Sequence, residues 1–195
     1  MPSKKINVII WLIKAAELDV IRKSCSRNLV GLHFDLIYTL PYAMCLNTVS
    51  EIITTLGIED DQKIIATSRF SATGLVPQDN DLILKKMVAD FVKKTPVNVD
   101  VWHEIAGNFT EMAIKKATAS INTTFAELDK KPSNSFSLLV VNNDRLPLLE
   151  LLALPLNKAL RIPSPGEIVQ LRFEGVVEGK KVNAKLVYAS HEPVQ

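Results

Sequence analysis

Residues Ile6–Ile13 read INVIIWLI, and this stretch decides the fold. It is a near-continuous apolar run rich in β-branched side chains, the pattern of a strand covered on both faces. Strands of that kind belong to parallel sheets flanked by helices. Lys4 and Lys5 precede the run, which gives it a superficial likeness to a signal peptide. Lys14 and Glu17 interrupt it, however, and no clean small-residue cleavage site follows. The unbroken part, Val8–Ile13, is also far short of the roughly 20 residues a membrane span needs.

Outward from this strand the chain alternates. Leu18–Val30 predicts a helix and Phe34–Thr39 a second short strand. Pro41 is placed to open a helix from its first turn. Leu46, Val49, Ile53 and Leu56 share one face of that helix, and Gly57 ends it. Lys63–Ser68 predicts a third strand, and Asp81–Lys94 a helix stopped by Pro96. Thr110–Lys130 carries the clearest helical stripe, Ile114, Ala117, Ile121, Phe125 and Leu128, with Asn108 and Glu111 spaced as a capping box. Phe136–Val141 reads as a buried strand, and Leu146–Leu154 as a short helix with Pro147 in its first turn. Gly166–Glu174 and Val182–Tyr188 are two further strands joined through Glu178-Gly179-Lys180 in a hairpin-like turn.

Alternation of this kind predicts a three-layer α/β/α sandwich with a mainly parallel central sheet, formed by residues 1–195 as a single domain. Ligands bind such sheets beyond the carboxyl ends of the strands. That rule places Lys14-Ala15-Ala16-Glu17, Leu40-Pro41 and Asn142-Asn143-Asp144 around one crevice.

Composition narrows the chemistry. The chain has 195 residues, 47% apolar and 23% charged, which excludes disorder, collagen and coiled coil as whole-chain descriptions. A net charge of +2 selects no partner class. The lysines Lys85, Lys86, Lys93 and Lys94 lack aromatic interleaving and read as a solvated helix face, so nucleic acid is not expected. There are three histidines, His33, His103 and His191, and seven glycines, roughly half the usual share of about 7%. Gly-rich phosphate loops and histidine clusters therefore have little material. Cys25 and Cys45 form no zinc spacing and no disulfide framework, and fit reduced thiols of a cytoplasmic protein. No metal, cofactor or membrane partner is expected. Asn108-Phe109-Thr110 and Asn122-Thr123-Thr124 match the glycosylation acceptor pattern, a short and common one.

The three strand ends resemble the histidine phosphatase superfamily, with its phosphoglycerate mutase-like fold. Ile9–Glu17, IIWLIKAAE, is similar to that family's first strand and its Arg-His-Gly-Glu signature. Phe34–Ile52 resembles the strand, the Ser-Pro turn and the helix carrying Arg and Thr. Ser137–Leu154 resembles the strand ending in the second catalytic His, and Leu156–Phe173 the closing helix–loop–strand segment. The resemblance implies a phosphohistidine route, with two arginines and a second histidine clamping the phosphoryl oxygens and a carboxylate protonating the leaving group.

Under that resemblance the chain departs from the pattern at five positions. Lys14 stands at the first arginine, Ala15 at the nucleophile, Met44 at the second arginine, Asn108 at the acid and Asn143 at the second histidine. Glu17, Pro41 and Thr48 remain. Alanine cannot attack phosphorus. Met44 and Asn143 offer no cationic clamp for transition-state charge. The resemblance thus implies a catalytically degenerate protein that works by binding or regulation. Its ligand candidates are Lys14, Glu17, Thr48, Asn142 and Asn143. The partner is a protein or a phosphorylated ligand, and a homodimer is compatible. The alternatives are a divergent active phosphatase or mutase with relocated groups, or a structural subunit whose crevice is vestigial and plugged by Tyr42 and Met44. Asn142, Asn143 and Asp144 have a second role open to them, as caps of the following helix. His103 beside Glu104 offers an acid–base pair only if two adjacent side chains converge on one proton. Cys45 near a helix N-terminus is either activated or, as free cysteines more often are, buried and inert.

Overall fold

The computed structural model of the chain describes residues 3–58, 63–71, 97–98, 108–143, 148–149, 152, 159–160 and 163–190. In chain order the elements are β1 (Lys4–Lys14), α1 (Leu18–Asn28), β2 (Leu36–Thr39), α2 (Ala43–Leu56) and β3 (Ile64–Ala66). They continue with β4 (Val97–Asn98), α3 (Asn108–Leu128), β5 (Ser135–Asn142), β6 (Ala159–Leu160), β7 (Ile168–Glu178) and β8 (Lys181–Ser190). Six strands form one sheet in the order β3-β2-β5-β1-β7-β8. The first four run parallel; β7 pairs antiparallel with β1, and β8 antiparallel with β7.

The apolar run of β1 is central because both its faces are covered. Ile6, Val8, Ile10 and Leu12 point into one cluster with Ile121, Phe125 and Leu128 of α3. Trp11 and Ile13 point into a second cluster with Ile21 and Cys25 of α1 and Cys45, Val49 and Ile52 of α2. Helices α1 and α2 thus lie on one face and α3 on the other, giving the expected three layers. Arg22 Nε donates to Glu51 Oε1 at 2.8 Å and ties α1 to α2. Lys4 Nζ donates to the carbonyls of Asp129 (3.1 Å) and Lys131 (2.6 Å) just past the end of α3, where a cation is favoured.

Several boundaries and faces differ from the sequence expectation. Pro41 lies ahead of α2 rather than in its first turn, because Tyr42 is the N-cap in an extended conformation. The buried face of α2 is Cys45, Thr48, Val49 and Ile52; Leu46 is 43% exposed, one position away from that face. On α3 the buried stripe runs through Ala113 rather than Ile114, and it also includes Ser120 and Thr124. Their hydroxyls donate to the carbonyls of Lys116 (2.8 Å) and Ser120 (2.9 Å), so polar side chains sit there at little cost. Asn122 belongs to α3 and its Oδ1 is buried, so that acceptor pattern is not a surface loop. Gly57 and Gly179 take the left-handed conformations expected of a helix end and a hairpin turn. The pairing of β4 with β6 in a separate two-stranded sheet had no sequence signal. The helix expected over Asp81–Lys94, with its lysines, lies outside the described residues, as do His103 and His191. Of Leu146–Leu154, the described Leu148 and Leu149 are fully buried.

The segment after β3 is fastened to α3 by one charged cluster. Arg69 donates to both Glu127 oxygens, at 2.7 and 2.6 Å, and its guanidinium lies 5.6 Å from the Tyr38 ring centroid. The Tyr38 hydroxyl reaches Glu127 Oε2 at 3.4 Å, and Ser120 Oγ donates to the Arg69 carbonyl at 2.6 Å. Hydrogen bonds from Arg69 hold the Glu127 carboxyl below the usual carboxylate range, against the opposing effect of burial. Burial foremost, with the Glu127 charge next, raises the Tyr38 phenol.

Two expectations follow. A Cβ on Gly175 would stand 2.5 Å from Phe125 Cε1 and 3.1 Å from Ala184 Cα. Gly175→Ala is therefore expected to lower unfolding free energy by about 1–3 kcal/mol in denaturant titration, with part of the loss relieved by adding Phe125→Leu. Because Glu127 titrates at a depressed value when folded, its stabilisation is present above the unfolded carboxylate pKa and lost as pH falls through the folded one. Glu127→Gln should cost roughly 1 kcal/mol at pH 7, discounted for a 41% exposed side chain, and the cost should shrink as pH falls below the ordinary carboxylate range in paired thermal melts.

Candidate functional site

Parallel pairing brings the carboxyl ends of β1, β5, β2 and β3 to one edge. Lys14 is in register with Asn142, and Thr39 with both Val141 and Ala66. Lys14, Leu40-Pro41 and Asn142-Asn143 therefore stand at the carboxyl edge where the sequence expectation places a ligand, while Asp144 lies outside the described residues. The Ala15 N–H donates to the Asn142 carbonyl at 2.7 Å, carrying the β1–β5 contact one residue past β1. Ala15 is 2% exposed, so its methyl is packed rather than presented.

The turn Pro163–Glu167 is fastened to the end of β1. The Gly166 N–H donates to the Lys14 carbonyl at 2.8 Å, the Lys14 N–H to the Glu167 carbonyl at 3.3 Å, and Ser24 Oγ of α1 to the Gly166 carbonyl at 2.6 Å. Gly166 has φ +76°, and a Cβ there would meet Val20 Cγ1 at 2.5 Å, so a side chain is excluded twice over. Both α1 and α2 begin at this edge. Their N-caps, Glu17 and Tyr42, make no side-chain cap hydrogen bond. Their carbonyls accept from Val20 (3.0 Å) and Ile21 (3.1 Å), and from Leu46 (3.0 Å).

The candidate residues separate by depth. Asn142 is buried at 6% exposure, while Asn143 is exposed just beyond β5. Lys14 is half-buried and engaged in an interaction of its own. Glu17 is exposed. Thr48 is fully buried on the inner face of α2, and its Oγ1 has no hydrogen-bond partner among the described residues. Tyr42 and Met44 are 49% and 50% exposed, so neither is buried as a plug would be. Asn108 starts α3, which runs opposite to β5, so that position lies toward the same edge; its side chain lies outside the described residues. His33 is exposed ahead of β2. Cys25 and Cys45 are fully buried, and burial pushes the Cys25 thiol up to about 12, which makes it inert.

Arg69 was not anticipated. It follows β3, and Glu127, near the end of α3, occupies its guanidinium bidentately. Only the pairing of residues 58 apart in sequence reveals that role. Among the described residues no group of three or more His, Cys, Asp or Glu is placed to hold a metal ion. None of the described helices is long and apolar enough to cross a membrane. The arrangement can offer backbone amides, an amide side chain and packed alanines to a ligand.

No family model matches the chain, and no curated protein matches it by sequence. Solved structures do. Phosphoglycerate mutase from Bacillus anthracis is 13% identical, with 95% of this chain and 93% of that one covered and a TM-score of 0.56. YhfR of Bacillus stearothermophilus is 13% identical over 92% and 96% of the two chains, with a TM-score of 0.47. The alpha-ribazole phosphatase of Shigella flexneri is 11% identical over 92% and 95%, at 0.46. Of these three, the Bacillus anthracis protein superposes closely enough to assign an architecture, and the chain adopts the phosphoglycerate mutase-like fold seen in it.

Proposed function

We propose that this chain is a catalytically degenerate relative of the histidine phosphatases that acts by binding at its strand-end crevice. The observation that carries the reading is Ala15, which sits where the resemblance calls for the nucleophilic histidine. Its buried methyl and its N–H bond to Asn142 leave no group there to form a phosphoryl bond. Met44 and Asn143 supply no positive charge at the positions that would clamp a phosphoryl group. The ligand is an anion, phosphorylated or otherwise, held by the open N-termini of α1 and α2 without turnover. A protein partner presenting such a group satisfies the same chemistry.

The test is hydrolysis of an aryl phosphate by purified protein, with a thermal melt in inorganic phosphate alongside. Enzymes accelerate such reactions by about 10⁶-fold or more, so real activity is easily seen. The expected result is a rate at background together with a rise in melting temperature as phosphate is added; saturation at 100 times Kd corresponds to about 2.7 kcal/mol. Turnover well above background that Asn143→Ala abolishes would overturn the reading in favour of a divergent phosphatase or mutase.

A further inference from the structure

The far end of the sheet carries a surface unconnected with the crevice. β8 is an edge strand, and no described strand pairs with its outer side. Its first six residues alternate. Lys181, Asn183 and Lys185 are exposed on the open face of the sheet, while Val182 and Ala184 are half-buried on the α3 face and pack against the core cluster there. Past Leu186 a bulge breaks the register with β7. The regular part of the edge is thus Lys181–Leu186.

Charge on this edge has one sign. Between Gly179 and Ser190 there are three lysines, Lys180, Lys181 and Lys185, and no acid. Lys181 and Lys185 stand opposite Glu178 and Glu174 of β7, yet neither closes into an ion pair among the described residues. Lysines on an edge strand guard against pairing with like strands. A second copy laid against β8 would bring lysine toward lysine, which is unfavourable across a strand pair. A strand of opposite charge meets no such obstacle. Beside the edge, the open face holds a shallow depression of about 350 Å³ lined by Lys5, Asn7, Glu174, Val176, Asn183 and Lys185.

We propose that the outer edge of β8, over Lys181–Leu186, pairs with an extended acidic segment of a partner protein in which acidic and apolar residues alternate. The backbone of that segment satisfies the open edge. Its acidic side chains fall beside Lys181 and Lys185 on the open face. Its apolar side chains fall beside Val182 and Ala184 on the α3 face. Alternation is required because side chains along a strand point to opposite faces. This surface does not depend on what the crevice binds, and crevice substitutions should leave it unchanged.

The probe is an eight-residue peptide alternating Glu and Val, followed by fluorescence anisotropy and by hydrogen exchange of the wild-type chain. The expected result is saturable binding, exchange slowed within Lys181–Leu186, and affinity at least tenfold weaker in the Lys181→Gln/Lys185→Gln variant. No slowing of exchange in β8 would overturn the proposal. So would equal binding and slowing by a peptide of the same composition with its glutamates grouped together. A thymidine oligonucleotide that slowed the same amides as strongly would assign the lysines to nucleic acid and overturn it likewise.

Discussion

The parallel pairing of β1 with β5 is the constraint on which the rest of the molecule depends. Both strands are apolar almost throughout, and both are buried on two faces. Their register, from Asn7 with Ser135 to Lys14 with Asn142, leaves the two carboxyl ends level. Everything at the carboxyl edge is hung from that alignment. The turn before β7 is stapled to the Lys14 backbone, β2 aligns on β5, and the helices after β1 and β2 start where their strands stop. A slip of one residue in this pair would turn every side chain of β1 to the wrong layer.

The same frame accommodates chemistry or its absence equally well. A fold positions a strand end; it does not dictate which atom stands there. Here the position next to Lys14 holds a methyl group packed at 2% exposure, in a contact that depends on backbone rather than on side chain. The guanidinium of Arg69 is held by Glu127 near the far end of α3, and the described histidine, His33, is exposed outside the strand ends. On the proposed reading, the groups at this edge hold a ligand rather than transform one. That difference in chemistry is the substance of the proposed function.

Much of the architecture was legible because burial leaves a periodic trace. Unbroken apolar runs announced β1 and β5, a helical stripe announced α3, and Gly179 marked the hairpin between β7 and β8. The shared edge of the carboxyl strand ends followed from strand direction alone. Other features left no local trace. The two-residue strands β4 and β6 are too short for periodicity. The face of α2 was misjudged by one position because Leu46 is apolar yet exposed, while the polar Thr48 is buried. Ser120 and Thr124 look like solvent positions, but Ser120 reaches the carbonyls of Arg69 and Lys116 and Thr124 bonds back within α3. The Arg69–Glu127–Tyr38 cluster joins three distant segments, which one sequence does not reveal. The reading of Ala15 and Asn143 as departures from a catalytic pattern rests on the resemblance alone, since alanine and asparagine are unremarkable at a strand end.

Incubating the purified chain with a small phosphoryl donor such as acetyl phosphate, then mapping phosphorylation by mass spectrometry under non-acidic conditions, tests the central claim most directly. Without a nucleophile at Ala15, the account predicts no phosphohistidine above the level of the heat-denatured chain. A stoichiometric, stable adduct on His33, His103 or His191 would contradict it by locating a relocated nucleophile.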